Sequence, residues 1–150
     1  MNTHRLGAAL LLLSVALAAE AQTTEPDPGT WLGLTPPAAY EAKGAPAEVS
    51  PLAVDEKRWQ VVHFYSDHSY LFWTSNRVWQ VRLDKLWTGS LKGVVMGASR
   101  TDVEAAWGEP LARGDTWSVW SLPYQTFPRR VRLVFTDGAL TDAYFYRSDL

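Results

Sequence analysis

His63 and His68 are the nearest approach to catalytic or metal chemistry in residues 22 to 150. A metal site needs several converging ligands, and no H-x-x-x-H or comparable spacing occurs. Ser66, Asp67 and His68 are adjacent. A nucleophile, its base and the orienting acid converge from separate segments, so this adjacency carries no catalytic implication. His63 is read as a strand histidine and His68 as a turn histidine. Asp55-Glu56, Glu104 and Glu109 are scattered and imply no acid–base pair. Arg113-Gly114-Asp115 spells a cell-adhesion tripeptide, but Gly-Asp is ordinary turn chemistry and three-residue motifs recur by chance. Pro128-Arg129-Arg130 with Arg132 is a small basic cluster, read as a solvated strand edge rather than a phosphate site. The chain has no Cys. That excludes disulfides, thiol catalysis, zinc–thiolate sites and a lipid-modified N-terminal cysteine. No pattern calls for a cofactor.

What remains conspicuous is aromatic: eight Trp, six Tyr and five Phe in 150 residues. Many must be core. Aromatics also dominate recognition surfaces, where they supply area at low entropic cost. Net charge is -2, with no basic stripe, so nucleic acid and anionic membrane surfaces are poor partners.

The elements that must position these aromatics are announced twice. Gly33 to Pro46 aligns without a gap on Gly97 to Pro110, at an offset of 64 residues. Each copy has Gly, a helix cap, a helix-compatible run and then Gly-x-Pro. Leu71 to Asn76 matches Leu133 to Gly138 at an offset of 62. Such self-similarity reads as one supersecondary unit used twice. Thr35 with Pro36 opens a helix near Pro36 to Lys43, and Ser99 with Asp102 opens the second. Gly44 and Gly108 stop them. Residues 47 to 58 read as a polar, Pro-containing loop.

Strands are expected at Trp59 to Tyr65, Tyr70 to Thr74 and Val78 to Leu83, then at Trp117 to Leu122, Val131 to Phe135 and Leu140 to Tyr146. Asp137-Gly138 is a strong hairpin signal. The expected fold is α+β: two tandem helix-plus-three-strand units forming one antiparallel sheet, with short helices packed on one face.

Residues 1 to 21 read as a signal peptide: Arg5, an apolar run from Leu6 to Ala19, and an Ala19-Glu20-Ala21 cleavage site. An uncleaved anchor is the alternative. The run is short for a membrane span, and no later segment is long enough. The expected organisation is signal peptide 1–21, flexible leader 22–30, unit one 31–84, connector 85–94 and unit two 95–150. The expected location is periplasmic or extracellular.

Val95-Met96-Gly97-Ala98-Ser99 through Val103, Trp107-Gly108-Glu109-Pro110, Trp117, and Leu133 to Leu140 together resemble the SmpA/OmlA family of small bacterial envelope proteins. That family has a G-M-[ST]-x-x-[DE]-V run, an L-G-x-P helix end and a final F-x-[DN]-G-x-L hairpin. It shares the fold of the β-lactamase inhibitor protein, which pairs two helix-plus-sheet units and grips its enzyme with the open sheet face. This chain lacks the lipobox Cys of the lipoprotein members and has Lys43 where the second copy has Trp107. No lipid anchor is therefore expected.

Period-two alternation sorts the strands into faces. Leu71, Trp73, Val81, Leu83, Val131, Leu133, Phe135, Ala143 and Phe145 should face the helices. Tyr70, Phe72, Arg82, Arg132 and Tyr144 should share the open face as the partner-binding set. Their mixture of Tyr, Phe and Arg suits protein recognition. The competing reading is a sheet face with ordinary exposed aromatics, or one capped by the leader. The expected function is a non-catalytic, exported module that binds another envelope or secreted protein, as scaffold or enzyme inhibitor. The alternative is a small hydrolase or carbohydrate-binding protein using the aromatic face, which would call for a carboxylate pair nearby.

Overall fold

The computed structural model describes residues 27–56 and 59–150. The expected signal peptide and residues 22–26 of the leader lie outside the described residues. Among the described residues two helices form, α1 (Pro36–Lys43) and α2 (Arg100–Trp107). Eight strands form among them: β1 (Glu48–Ala53), β2 (Trp59–Phe64), β3 (Ser69–Thr74), β4 (Arg77–Leu83), β5 (Ala112–Arg113), β6 (Trp117–Leu122), β7 (Arg129–Thr136) and β8 (Ala139–Arg147). They make one antiparallel sheet in the order β1-β2-β3-β4-β8-β7-β6-β5.

This corrects the expected architecture. The chain does not build two helix-plus-three-strand units; each helix is followed by four strands, all in one eight-stranded sheet. The unexpected strands are the two edges. β1 lies where a loop was expected, and nearly every residue of it is exposed. With neither face buried, no alternation marks it, and Pro51 argues for a loop. Its pairing with β2, from Glu48 opposite Phe64 to Ala53 opposite Trp59, is made by the backbone. At the far edge, β5 is only two residues long.

The strands next to the centre follow their local chemistry. Ser75-Asn76, with φ of 47° and 56°, joins β3 to β4; Asp137-Gly138, with φ of 50° and 80°, joins β7 to β8. Both are two-residue turns of the primed type, whose twist matches that of the strands. Each hairpin then carries a register shift, at Phe72/Trp73 and at Val134/Phe135.

The core lies between the sheet and the helices. Leu71, Val81, Leu83, Val131, Leu133 and Ala143 are fully buried, with Trp73, Phe135 and Phe145 nearly so, as alternation requires. Ala39 of α1 and Val103 of α2 join the same cluster. Each large side chain contributes about 1.5–3 kcal/mol through burial. Ala106 of α2 is exposed, and Trp107 is half-buried.

Two segments outside the regular elements are also packed. Trp87, Leu91 and Val94, in the stretch between β4 and α2, belong to the core. Pro28–Trp31, partly within the expected flexible leader, forms a 3-10 turn with Pro28, Gly29 and Trp31 buried. The Asp27 carboxylate caps it by accepting the Gly29 N–H at 2.9 Å.

Arg129 clamps that turn. Its guanidinium donates to the Gly29 carbonyl at 2.9 Å and to the Pro123 carbonyl at 2.7 Å and 3.2 Å. Only 5% of the residue is exposed, so the reading of this cluster as a solvated strand edge is corrected at Arg129. A buried guanidinium needs several acceptors, and backbone carbonyls supply them. Arg130 and Arg132 are exposed.

Candidate functional site

The face of the sheet opposite the helices carries one continuous row of large side chains. The register sets Phe64 opposite Tyr70, Tyr70 opposite Arg82, Arg82 opposite Tyr144, and Tyr144 opposite Arg132. Directly opposed residues have Cβ atoms about 4.5–5.5 Å apart, so such a row is in side-chain contact. Phe64 and Tyr70 rings are 4.9 Å apart. The Arg82 guanidinium lies 5.1 Å from the Tyr70 ring centre and 5.8 Å from that of Tyr144. Arg132 lies 5.1 Å from Tyr144 on the other side. From Tyr70 onward the row thus alternates aromatic rings with cations, each within cation–π range.

All five residues expected on this face are on it. Four stand in the row, and Phe72 stands one step along, opposite Val62 and Gln80. Its ring meets Trp79 edge-on at 6.5 Å. Trp79 is the extra residue at the register shift, which breaks the alternation and brings its ring to this face.

Two carboxylates complete the site and were not among the expected residues. Arg82 donates through Nε and Nη2 to Asp142 Oδ1, at 2.8 Å and 2.6 Å. The Tyr70 hydroxyl donates to Asp84 Oδ2 at 2.8 Å, and His68 Nδ1 lies 3.1 Å from the same oxygen. Asp142 stands two residues before Tyr144 on β8 and so shares its face, and the pairing of β4 with β8 brings it diagonally to Arg82. Asp84 follows the last residue of β4, where alternation gives no guidance. His68 itself sits at φ 63°.

The electrostatics follow from these contacts. Burial alone would raise the Asp84 carboxyl, but the Leu86 N–H, the Tyr70 hydroxyl and His68 outweigh it and hold the group below the ordinary carboxylate range. Burial, reinforced by the hydrogen bond to Asp84, pushes the Tyr70 phenol up. Burial opposes the charge on Arg82, and Asp142 more than restores it. The row therefore holds two guanidiniums: Arg82, between the Tyr70 and Tyr144 rings and paired with Asp142, and Arg132, at the end beside Tyr144 and without an ion pair among the described residues.

The remaining motifs lie away from this row. His63 points to the helix side, opposite Leu71, with its ring 4.9 Å from Trp73. Burial lowers its pKa. Arg113 lies in β5 beside Glu104 and Glu109. The Gly114 and Asp115 carbonyls accept from Arg100 at 3.1 Å and 2.8 Å. Among the described residues, no helix is long and apolar enough to cross a membrane.

No protein-family model matches the chain, and no curated protein is similar to it. Among solved structures, the fold is similar to that of an extracellular protein containing an SCP domain from Bacillus anthracis str. Ames. The TM-score is 0.55 and the identity 13%, over 87% of this chain and 50% of that one. The chain thus spans about half the length of that protein, and at this identity the likeness is one of fold.

Proposed function

We propose that this protein is an exported, non-catalytic binding module that grips another envelope or secreted protein with the helix-free face of its sheet. The observation that carries this reading is the row Phe64–Tyr70–Arg82–Tyr144–Arg132, five strands wide and opposite the helices. A sheet held by its own core has no need of such a row. Tyr and Arg at the centre of a patch are the residues that most often carry interface affinity. Export rests on the N-terminal pattern, and the Bacillus anthracis neighbour is itself extracellular. The resemblance to SmpA/OmlA proteins supports the same assignment. A sugar-cleaving reading would need one carboxyl raised to serve as the acid beside the aromatics, whereas Asp84 is held below the ordinary range and Asp142 is ion-paired with Arg82.

The test is a pull-down from an envelope or culture-supernatant fraction with the wild type and an Arg132→Ala/Tyr144→Ala variant. Arg82 is a poorer probe, because removing it strands Asp142. The double variant should lose the captured protein by tenfold or more at an unchanged Tm. Phe145→Ala, one residue along the same strand, should instead cost about 3–5 kcal/mol of stability. Equal capture by wild type and double variant would refute the binding face.

A further inference from the structure

At the β7 end of the open face stand two positive charges that nothing balances. Arg130 and Arg132 are two residues apart on β7, both exposed, and alternation turns both to this face. Their backbone positions are about 6.5–7 Å apart along the strand. Tyr146 and Tyr144 stand opposite them on β8, and Ser121 and Val119 on β6. With Trp117, Leu111 and Tyr146, the pair borders a hollow of about 280 Å³ whose lining includes the buried Val119. No carboxylate lines it among the described residues.

The pair is set apart by its lack of an acceptor. Every other arginine among the described residues has one: a carboxylate for Arg82, Arg113 and Arg147, and a backbone carbonyl for Arg77, Arg100 and Arg129. Among those residues Arg130 and Arg132 have neither an ion pair nor a hydrogen bond. Arg132 has only the Tyr144 ring, 5.1 Å away. Carboxylates are not scarce, since the chain carries a net charge of -2. Two neighbouring guanidiniums repel each other, and an anion set against both relieves that repulsion.

We infer that this hollow takes an acidic segment of the partner, with its carboxylates on Arg130 and Arg132 and an apolar neighbour against Trp117 and Leu111. The inference rests on the partner-gripping reading and names the chemistry of what is gripped. Each guanidinium presents a planar fork of donors that matches a carboxylate. An extended chain sets alternate side chains about 6.5–7 Å apart, so a Glu-x-Glu run matches the arginine spacing. Arg82, in contrast, is already neutralised by Asp142. Charge selection therefore belongs to the β7 end of the face.

The experiment titrates the purified chain with capped Glu-Leu-Glu-Leu and with its counterparts carrying Gln or Lys in place of Glu. Binding is read from the arginine Nε–H and Trp117 indole N–H resonances in two-dimensional NMR. The Glu peptide should bind about tenfold or more tightly than the Gln peptide, and the Lys peptide not at all. Raising the salt to about 1 M, where the Debye length is about 3 Å, should weaken the Glu peptide most. Arg130→Glu should abolish the preference and the capture of the natural partner at an unchanged Tm. Lys92→Glu, the same charge change at an exposed site between β4 and α2, should leave both intact. Arg130 stands outside the aromatic row, so the two readings fail separately. Capture lost in Arg132→Ala/Tyr144→Ala but kept in Arg130→Glu would overturn this inference and leave the binding face standing. No shift at millimolar peptide, equal binding of the Glu and Gln peptides, or a preference untouched by Arg130→Glu would overturn it too. Inorganic sulfate shifting the same resonances as strongly as the Glu peptide would replace the acidic segment with a free anion.

Discussion

Aligned positions in the two halves of the chain share their backbone solution and differ in their side-chain solution. Gly33 and Gly97, at φ 81° and 91°, donate to the Val78 and Leu140 carbonyls at 2.7 Å and 2.8 Å. Val78 and Leu140 donate back to the Leu34 and Ala98 carbonyls at 3.1 Å and 2.9 Å. Gly44 and Gly108 then close their helices on Tyr40 and Glu104.

The corners built on this common frame diverge. The Lys43 side chain at the end of α1 is 5% exposed, pairs with Asp67 at 2.8 Å and lies 3.7 Å above the Trp31 ring. At the aligned position, α2 ends in Trp107, which packs on Trp120 and leaves a cavity beside it. One corner is closed by an ion over aromatic rings; the other is an apolar wall. The lesson is that strand and helix placement is carried by turns and backbone bonds, which leaves the helix ends free to specialise.

The strongest way to break this comparison is at the paired glycines. Both take the left-handed region, so Ala at either place costs about 1–2 kcal/mol in backbone strain. At Gly33 an added Cβ also meets the Phe127 ring at 2.8 Å, whereas at Gly97 nothing lies within 4 Å. Overpacking adds about 1–3 kcal/mol. Urea unfolding should therefore rank Gly33→Ala, at about 3 kcal/mol, well above Gly97→Ala; equal costs would mean that Phe127 does not pack as described.

Next in size is the Lys43 corner. Lys43→Met should cost about 1–2 kcal/mol at neutral pH, the worth of a partly desolvated cation over aromatic rings. The charge pair itself adds little, since the Asp67 side chain is half-exposed. Burial alone would raise the Asp67 carboxyl, but the Lys43 ammonium and Ser69 outweigh it and hold it below the ordinary range. Its contribution is therefore complete above the usual carboxylate pKa and is lost as pH falls through the lowered native value. Lys43→Met should flatten the acid limb of the stability–pH curve, and an unchanged limb would remove Asp67 from the account.

The smallest contrast is at the helix starts. Ser99 accepts the Asp102 N–H at 3.1 Å, whereas Thr35 makes no side-chain cap bond. Pro36 and Pro37 follow Thr35 and bring no N–H to accept. Ser99→Ala should cost about 1 kcal/mol and Thr35→Ala a few tenths at most. Equal melting shifts would show that the caps are equivalent after all.

What could be read from the residues follows the same division. β3, β4, β7 and β8 each bury one face, so alternation put Leu71, Val81, Leu133 and Phe145 inside and Tyr70, Arg82, Arg132 and Tyr144 outside. β1 buries neither face, and its pairing was invisible for that reason. Arg129 is indistinguishable locally from exposed Arg130; its burial depends on Gly29, 100 residues away. Asp84 and Asp142 gain their roles from lateral neighbours on other strands, which a one-dimensional pattern does not contain. The cavity beside Trp107 was illegible because an apolar helix stripe reads as core whether or not something fills the space before it.

The unequal sheet edges also limit self-assembly. β1 offers six residues of backbone along an exposed edge, whereas β5 offers two. Should two copies ever zip together through β1, each would spend its long edge on the other, and the outward edges left would be the short β5 stubs. Such a contact closes on itself as a pair and cannot propagate into a fibre.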